Sequence, residues 1–94
     1  MKAVAVGVVQ QVGVVQEIGT NGFKKRELIL KTVEERPEFY CVEFHGGNVD
    51  LLNTIQQGEN VKVTLNIRGR EYTNPDNGNY NVFHALVGWK IESV

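Results

Sequence analysis

Asn48-Val49-Asp50-Leu51-Leu52-Asn53-Thr54-Ile55-Gln56-Gln57-Gly58 is the stretch whose reading decides the fold. Elsewhere the apolar residues tend to recur at every second position, the spacing of a strand with one face on a core. Here Leu51, Leu52 and Ile55 share one face of a helix instead. Asn48 is a helix-capping residue type, and Gly58 can end a helix in a left-handed conformation. The pattern predicts a short helix over 48–55, placed to plug something larger.

Working outward, Val61, Val63, Leu65 and Ile67 alternate with Lys62, Thr64, Asn66 and Arg68, the clearest strand in the chain. Thr73-Asn74-Pro75-Asp76-Asn77-Gly78 is a loop by its turn residues. Tyr80 to Ile91 follows as the last strand, with Phe83, Ala85, Val87, Trp89 and Ile91 as one apolar face directed at the core. Upstream, Phe39 to His45 alternates and ends at Gly46-Gly47, and Pro37 closes a charged connection after Glu34-Glu35-Arg36. Phe23 to Val33 is a further strand, entered through the turn Thr20-Asn21-Gly22. Ala3 to Gly19 reads as a long first strand whose even positions, Val4, Val6, Val8, Val12, Val14 and Ile18, form the apolar face. Gly7 and Gly13 allow that strand to bulge or coil.

Three strands, a short helix and two strands make the element order of an OB-fold: an all-β, five-stranded barrel with the helix between strands three and four. A plain five-stranded sandwich or an SH3-like barrel needs no helix at 48–55. With 94 residues, one domain spanning residues 1–94 is expected. No apolar run reaches the roughly 20 residues of a membrane span. Met1-Lys2-Ala3-Val4 lacks the features of an export signal, so a cytoplasmic location is expected. The single cysteine, Cys41, cannot form an internal disulfide and reads as a small buried strand residue.

Catalysis finds little support. His45 and His84 are the only histidines and have no cysteine at metal-ligand spacing. No HExxH, phosphate-loop or nucleophile-elbow pattern occurs. No catalytic residue, metal or cofactor is expected, and the domain reads as a binding module.

The net charge of −1 argues against wholesale polyanion binding, yet the charges are unevenly spread. Lys24, Lys25 and Arg26 form one cationic cluster and Lys62, Arg68 and Arg70 punctuate another stretch, while Glu34, Glu35, Glu38 and Glu43 gather elsewhere. With Val61 to Ile67 inward, the pleat sends Lys62, Thr64, Asn66, Arg68, Arg70 and Tyr72 outward as a cationic row ending on an aromatic. Cations that track phosphate and a ring that stacks on a base are what single-stranded nucleic acid requires. The same row also reads as a solvated strand face with edge-protecting charges. Phe23 and Tyr80, flanking the two loops that border an OB-fold ligand face, are further candidates. If Leu28 and Leu30 face inward, the strand parity turns Lys24 and Arg26 inward too, unless a bulge intervenes or they lie beyond the rim.

Gln57-Gly58-Glu59-Asn60-Val61-Lys62-Val63, Ile67-Arg68-Gly69-Arg70-Glu71-Tyr72-Thr73 and the polar loop with Gly78 and Tyr80 resemble the fourth strand, long loop and fifth strand of bacterial single-stranded DNA-binding proteins. The resemblance implies an OB-fold, oligomeric assembly and sequence-independent binding of single strands. It casts Arg68 and Arg70 as backbone-contacting cations and Tyr72 as a base-stacking ring. Arg26 followed by Leu28-Ile29-Leu30 is similar to that family's second strand. Asn21-Gly22-Phe23-Lys24-Lys25-Arg26-Glu27-Leu28, Arg68-Gly69-Arg70-Glu71 and Gly88-Trp89-Lys90-Ile91-Glu92 resemble, over nearly the whole chain, the small bacterial and phage family known as domain of unknown function 3127. Two departures weaken stacking: Lys24 and Leu30 stand where the single-strand binders carry aromatics. The acidic tail through which those proteins recruit partners has no counterpart at Glu92-Ser93-Val94, so recruitment is not expected to carry over. The expected partner is single-stranded DNA, with RNA not distinguished from it, and the expected assembly is a homo-oligomer, a dimer being favoured. The alternative is an OB module whose surface recognises protein.

Overall fold

Alternating side chains can bury one face of a sheet only if that face meets another, and a small sheet achieves this by closing on itself. The computed structural model describes residues 1–94. Its elements are β1 (Lys2–Val12), β2 (Gln16–Ile18), β3 (Phe23–Lys31), β4 (Phe39–His45), a 3₁₀ helix η1 (Gly46–Leu52), β5 (Asn60–Thr73) and β6 (Tyr80–Ser93). The strand order is β1-β5-β6-β4-β3-β2, and β1 also pairs with β3, which closes the barrel. Every pairing is antiparallel except β4 with β6, which run parallel from Val42 opposite Leu86 to Phe44 opposite Gly88.

The expected first strand from Ala3 to Gly19 is divided. β1 passes from β5 to β3 with a register shift between Val9 and Gln11, and the chain leaves the ladder before β2 resumes alongside β3 alone. Gly13 sits at the break, where its N–H donates to the Glu27 carbonyl at 2.8 Å. A Cβ at Gly13 would stand 3.0 Å from that same oxygen. β2 therefore continues the first strand after a bend, and the barrel wall keeps its five strands.

From Ala3 to Val9 side-chain direction in β1 is the reverse of the expected one, whereas beyond the register shift Val12 packs on the core as expected. The odd positions face the core: Gly7 and Val9 are buried and Ala3 and Ala5 half-buried, whereas Val4 and Val6 are exposed. Small residues are needed on the inner side because the wall is tight where β1 crosses to β3. A Cβ on Gly7 would lie 2.6 Å from the Lys31 carbonyl oxygen.

The last strand also departs from a single parity. Thr64 pairs with Lys90 but Leu65 with Gly88, so Trp89 is an extra residue bulged out of β6. Below the bulge Ile91 packs on the core; above it Leu86 and Gly88 face inward. Phe83 and Trp89, expected in the core, are instead exposed, at 60% and 41%. Cys41, expected to be buried, is likewise exposed.

The core consists of Val9, Leu28, Leu30, Val42, Phe44, Leu52, Val61, Val63 and Leu65. The helix closes one end. It starts at Gly46, whose φ of +59° turns the chain straight out of β4, and His45 holds the N-cap position without a side-chain bond, in place of the expected Asn48. Its 3₁₀ winding brings residues three apart onto one side. Val49 and Leu52 are accordingly the buried pair, while Leu51 is exposed and Ile55 packs at the edge of the core. Gly58, with φ +91°, turns the chain into β5 and donates its N–H to the Val9 carbonyl at 2.8 Å.

Gly88 lies against the ring of Phe44, and a Cβ there would stand 2.6 Å from its Cζ. Gly88→Ala should therefore destabilise the fold by about 1–3 kcal/mol, the range for an overpacked core. In a Phe44→Leu background the same change should cost less, because the atoms it strikes are gone. Urea unfolding of the four proteins measures both terms.

Candidate nucleic-acid interface

Beyond the pair Ile67 and Leu86, β5 and β6 leave the barrel together and run on, fully paired, to Thr73 and Tyr80. Residues 68–73 and 80–84 are exposed, so this is a projecting two-stranded arm. Its tip is ordered by polar turns. Asn74 Oδ1 accepts the Asp76 N–H at 2.8 Å, Asn77 Oδ1 accepts the Asn79 N–H at 2.9 Å, and Gly78 has φ +72°.

Each strand of the arm alternates between two faces. On one, Arg68, Arg70 and Tyr72 stand opposite Ala85, Phe83 and Asn81. On the other, Gly69, Glu71 and Thr73 stand opposite His84, Val82 and Tyr80. The first face joins two guanidinium groups to two open rings, Tyr72 at 43% exposure and Phe83 at 60%. At its root an open cleft of about 370 Å³ is lined by His45, Arg68, Arg70, Phe83 and Val87, among others.

His45 belongs to the far wall of this cleft, on β4. It stands opposite Lys25 of β3, and the Phe23 ring meets it edge-on with centroids 5.1 Å apart. Its Nε2 lies 2.9 Å from Glu43 Oε1, and Lys25 Nζ lies 3.8 Å from the same oxygen. Glu27 and Glu43 face each other across β3 and β4. Beside them the Cys41 thiol donates to Glu27 Oε2 at 3.3 Å. Burial of the sulfur, then the bond to Glu27 and the charges of Glu27 and Glu43, push that thiol up to about 11 against an opposing effect of Lys25. At neutral pH it is a protonated donor rather than a nucleophile. No three His, Cys, Asp or Glu side chains gather closely enough to hold a metal ion.

The structure thus brings together Arg68, Arg70 and Tyr72, and across the cleft Phe23 and Lys25. Tyr80 lies on the opposite face of the arm, where its hydroxyl donates to Glu71 Oε2 at 3.5 Å. Lys24 is exposed at the barrel rim, where its backbone stands opposite Glu17 in the β2–β3 register. Lys62 sits far down β5, about 20 Å from Arg68 at strand rise, opposite Val6 and Glu92. Arg26 does turn inward, as the parity of β3 requires. Its Nε donates to the Gly13 carbonyl at 2.8 Å, and its Nη1 reaches Asn53 Oδ1 at 2.9 Å and the Val49 carbonyl at 3.4 Å. Sequence reasoning missed Phe83 and His45. The available signal for Phe83 was Gly88 beside Trp89, since a glycine inside a strand often marks a bulge that swaps faces.

A closed barrel with one parallel pairing, a short helix between its third and fourth walls and a long hairpin between its last two define an OB-fold with a cationic, aromatic face. The chain belongs to the family described as "Domain of unknown function (DUF3127)", whose model matches residues 5–92. Among solved structures it is similar to the mitochondrial single-stranded DNA-binding protein Rim1 of S. cerevisiae. That likeness has 16% sequence identity and a TM-score of 0.71, and covers 100% of this chain and 94% of that one. No curated protein matches the sequence. No helix is long and apolar enough to cross a membrane.

Arg26 binds three separate segments, so Arg26→Ala leaves the Gly13 and Val49 carbonyls and Asn53 without it. A loss of about 1–3 kcal/mol in stability is expected, measured by urea unfolding. Arg26→Lys should not restore it, because an ammonium lacks the planar fork that serves these acceptors together.

Proposed function

We propose that this protein binds single-stranded DNA without regard to sequence, using the face of the arm that carries Arg68, Arg70, Tyr72 and Phe83. The observation that carries this reading is the register of β5 against β6, which sets both arginines and both rings on one exposed surface. The guanidinium groups would follow phosphates, and the rings would take bases by stacking, which every base allows. Phe23, His45 and Lys25 offer a second wall to the same strand. Lys24 adds charge at the rim, and Tyr80 offers a ring on the reverse of the arm. The fold shared with Rim1 supports the assignment, and RNA presents the same phosphates and rings.

One observation favours a second reading, a surface for protein. Glu27 and Glu43 stand side by side in the middle of β3 and β4, where an OB-fold commonly receives its ligand, and they repel phosphate.

Titration of fluorescently labelled oligo-dT at two salt concentrations separates the two. Arg68→Ala or Arg70→Ala should weaken binding and flatten the salt dependence by about one ion each. Tyr72→Ala or Phe83→Ala should cost about 1–3 kcal/mol per stacked base with the salt slope unchanged. Absence of binding near physiological salt would favour the protein surface.

Assembly follows from β1. From Lys2 to Val6 it pairs with β5 but with nothing on its other side, since β3 joins only at Val8. Val4 and Val6 are exposed along this free edge, and an apolar opening of about 280 Å³ lies beside it. Open edges of this kind recruit another strand, and a two-fold copy supplies one. A dimer mass by light scattering at micromolar concentration is expected, and Val6→Lys should yield the monomer.

A further inference from the structure

We propose that a bound single strand runs lengthwise along the outer face of β5 and β6, from the arm past Arg68 to Trp89 and Lys62, rather than across β3 and β4. This rests on the reading of the arm as a single-strand binder.

The outward side of β5 carries a row of polar residues. Below Arg68 it continues through half-buried Asn66 to exposed Lys62, with Thr64 between them buried, Lys2 on the neighbouring β1 opposite Asn66 and Lys90 on β6 opposite Thr64. The bulge in β6 places Trp89 on this row, 41% exposed, with Lys2 Nζ 5.3 Å from its ring centroid. Cations and an open ring therefore recur here, the same chemistry as on the arm. Of the carboxylates at this end, Glu92 is held by Lys90 at 2.8 Å and Glu59 accepts from Ser93 Oγ at 3.0 Å. Across β3 and β4, by contrast, a polyanion would meet Glu27 and Glu43. From Tyr72 to Lys62 the row extends about 33 Å at strand rise. An OB-fold typically engages about 4–16 nucleotides, which gives a strand the length to follow it. Lys62 and Trp89, which have no role on the arm, acquire one at the far end of the track.

Trp89 is the only tryptophan, so its emission reports occupancy of that end. Two oligo-dT lengths, about 4 and about 16 nucleotides, bracket the expected site size. Each would be titrated against the wild-type protein, with anisotropy of a label on the DNA read in parallel with Trp89 emission. The longer oligonucleotide should quench Trp89, and the shorter should bind more weakly and quench little. Lys62→Gln, a change at an exposed position, should weaken the longer oligonucleotide several-fold and leave the shorter unaffected. Anisotropy showing that the longer oligonucleotide binds, with Trp89 emission unchanged or with Lys62→Gln without effect, overturns the lengthwise path. Absence of an anisotropy change with either length would instead overturn the single-strand reading itself.

Discussion

The barrel depends on one close approach, the backbone of β6 passing over the ring of Phe44 at Gly88. Phe44 is a fully buried side chain, and β4 meets β6 only from Val42 to Phe44. The parallel contact that joins β4 to β6 therefore includes the place where the largest core ring stands under a strand. Only a residue without Cβ leaves room there. Once Gly88 is fixed inward, the next residue has to accommodate the pairing with β5, and Trp89 bulges outward. The same shift keeps Ile91 on the core below the bulge while exposing Phe83 above it; Ala85 is half-buried and Val87 stays buried, as expected. A packing constraint in the interior thus sets which rings reach solvent.

On β3, in register with Phe44, a polar contact does comparable work. Gly13 lets the first strand bend away from the ladder, and Arg26 spans the gap between that bend, η1 and Asn53. A guanidinium suits the position because its donors point in several directions within one plane, and each of these carbonyl or amide oxygens needs a partner. The cluster Lys24, Lys25, Arg26 consequently divides into a structural cation, Arg26, one that pairs with Glu43, Lys25, and one left exposed, Lys24.

Element order, the long polar loop between the last two strands and the element between strands three and four were legible because alternation, turn residues and glycines signal them locally. Side-chain parity was not. In β1 the choice lay between large even residues and small odd ones, and hydrophobicity favours Val4 and Val6 over Ala3 and Ala5. The interior took the small set, since the wall of a narrow barrel is close at Gly7. In β6 a continuous alternation of apolar residues concealed a bulge whose cause, Phe44, lies on another strand. The arginines and Tyr72 of the candidate site were legible because β5 keeps its pleat through the arm. Phe83 was hidden by the swap of faces, and His45 joined the cleft only through the curvature that brings β4 round beside β6. Local signals carry the elements, and distant contacts decide which way their side chains point.

A chain with net charge −1 can still present a surface to a polyanion, because the fold sorts its charges by face. Glu71 is sent to the reverse of the arm by the same alternation that brings Arg68 and Arg70 forward. Glu34, Glu35 and Glu38 cluster around the connection between β3 and β4, where Glu38 accepts from Tyr40 and Glu34 from Thr32. Glu43 is occupied by Lys25 and His45. Glu27 accepts from a neutral thiol and, like Glu17 and Glu71, has no cationic partner within ion-pair distance. Its place on β3, opposite Glu43, makes that wall the least hospitable route for phosphate and leaves the outer row of β5 and β6 as the side with the lower electrostatic cost.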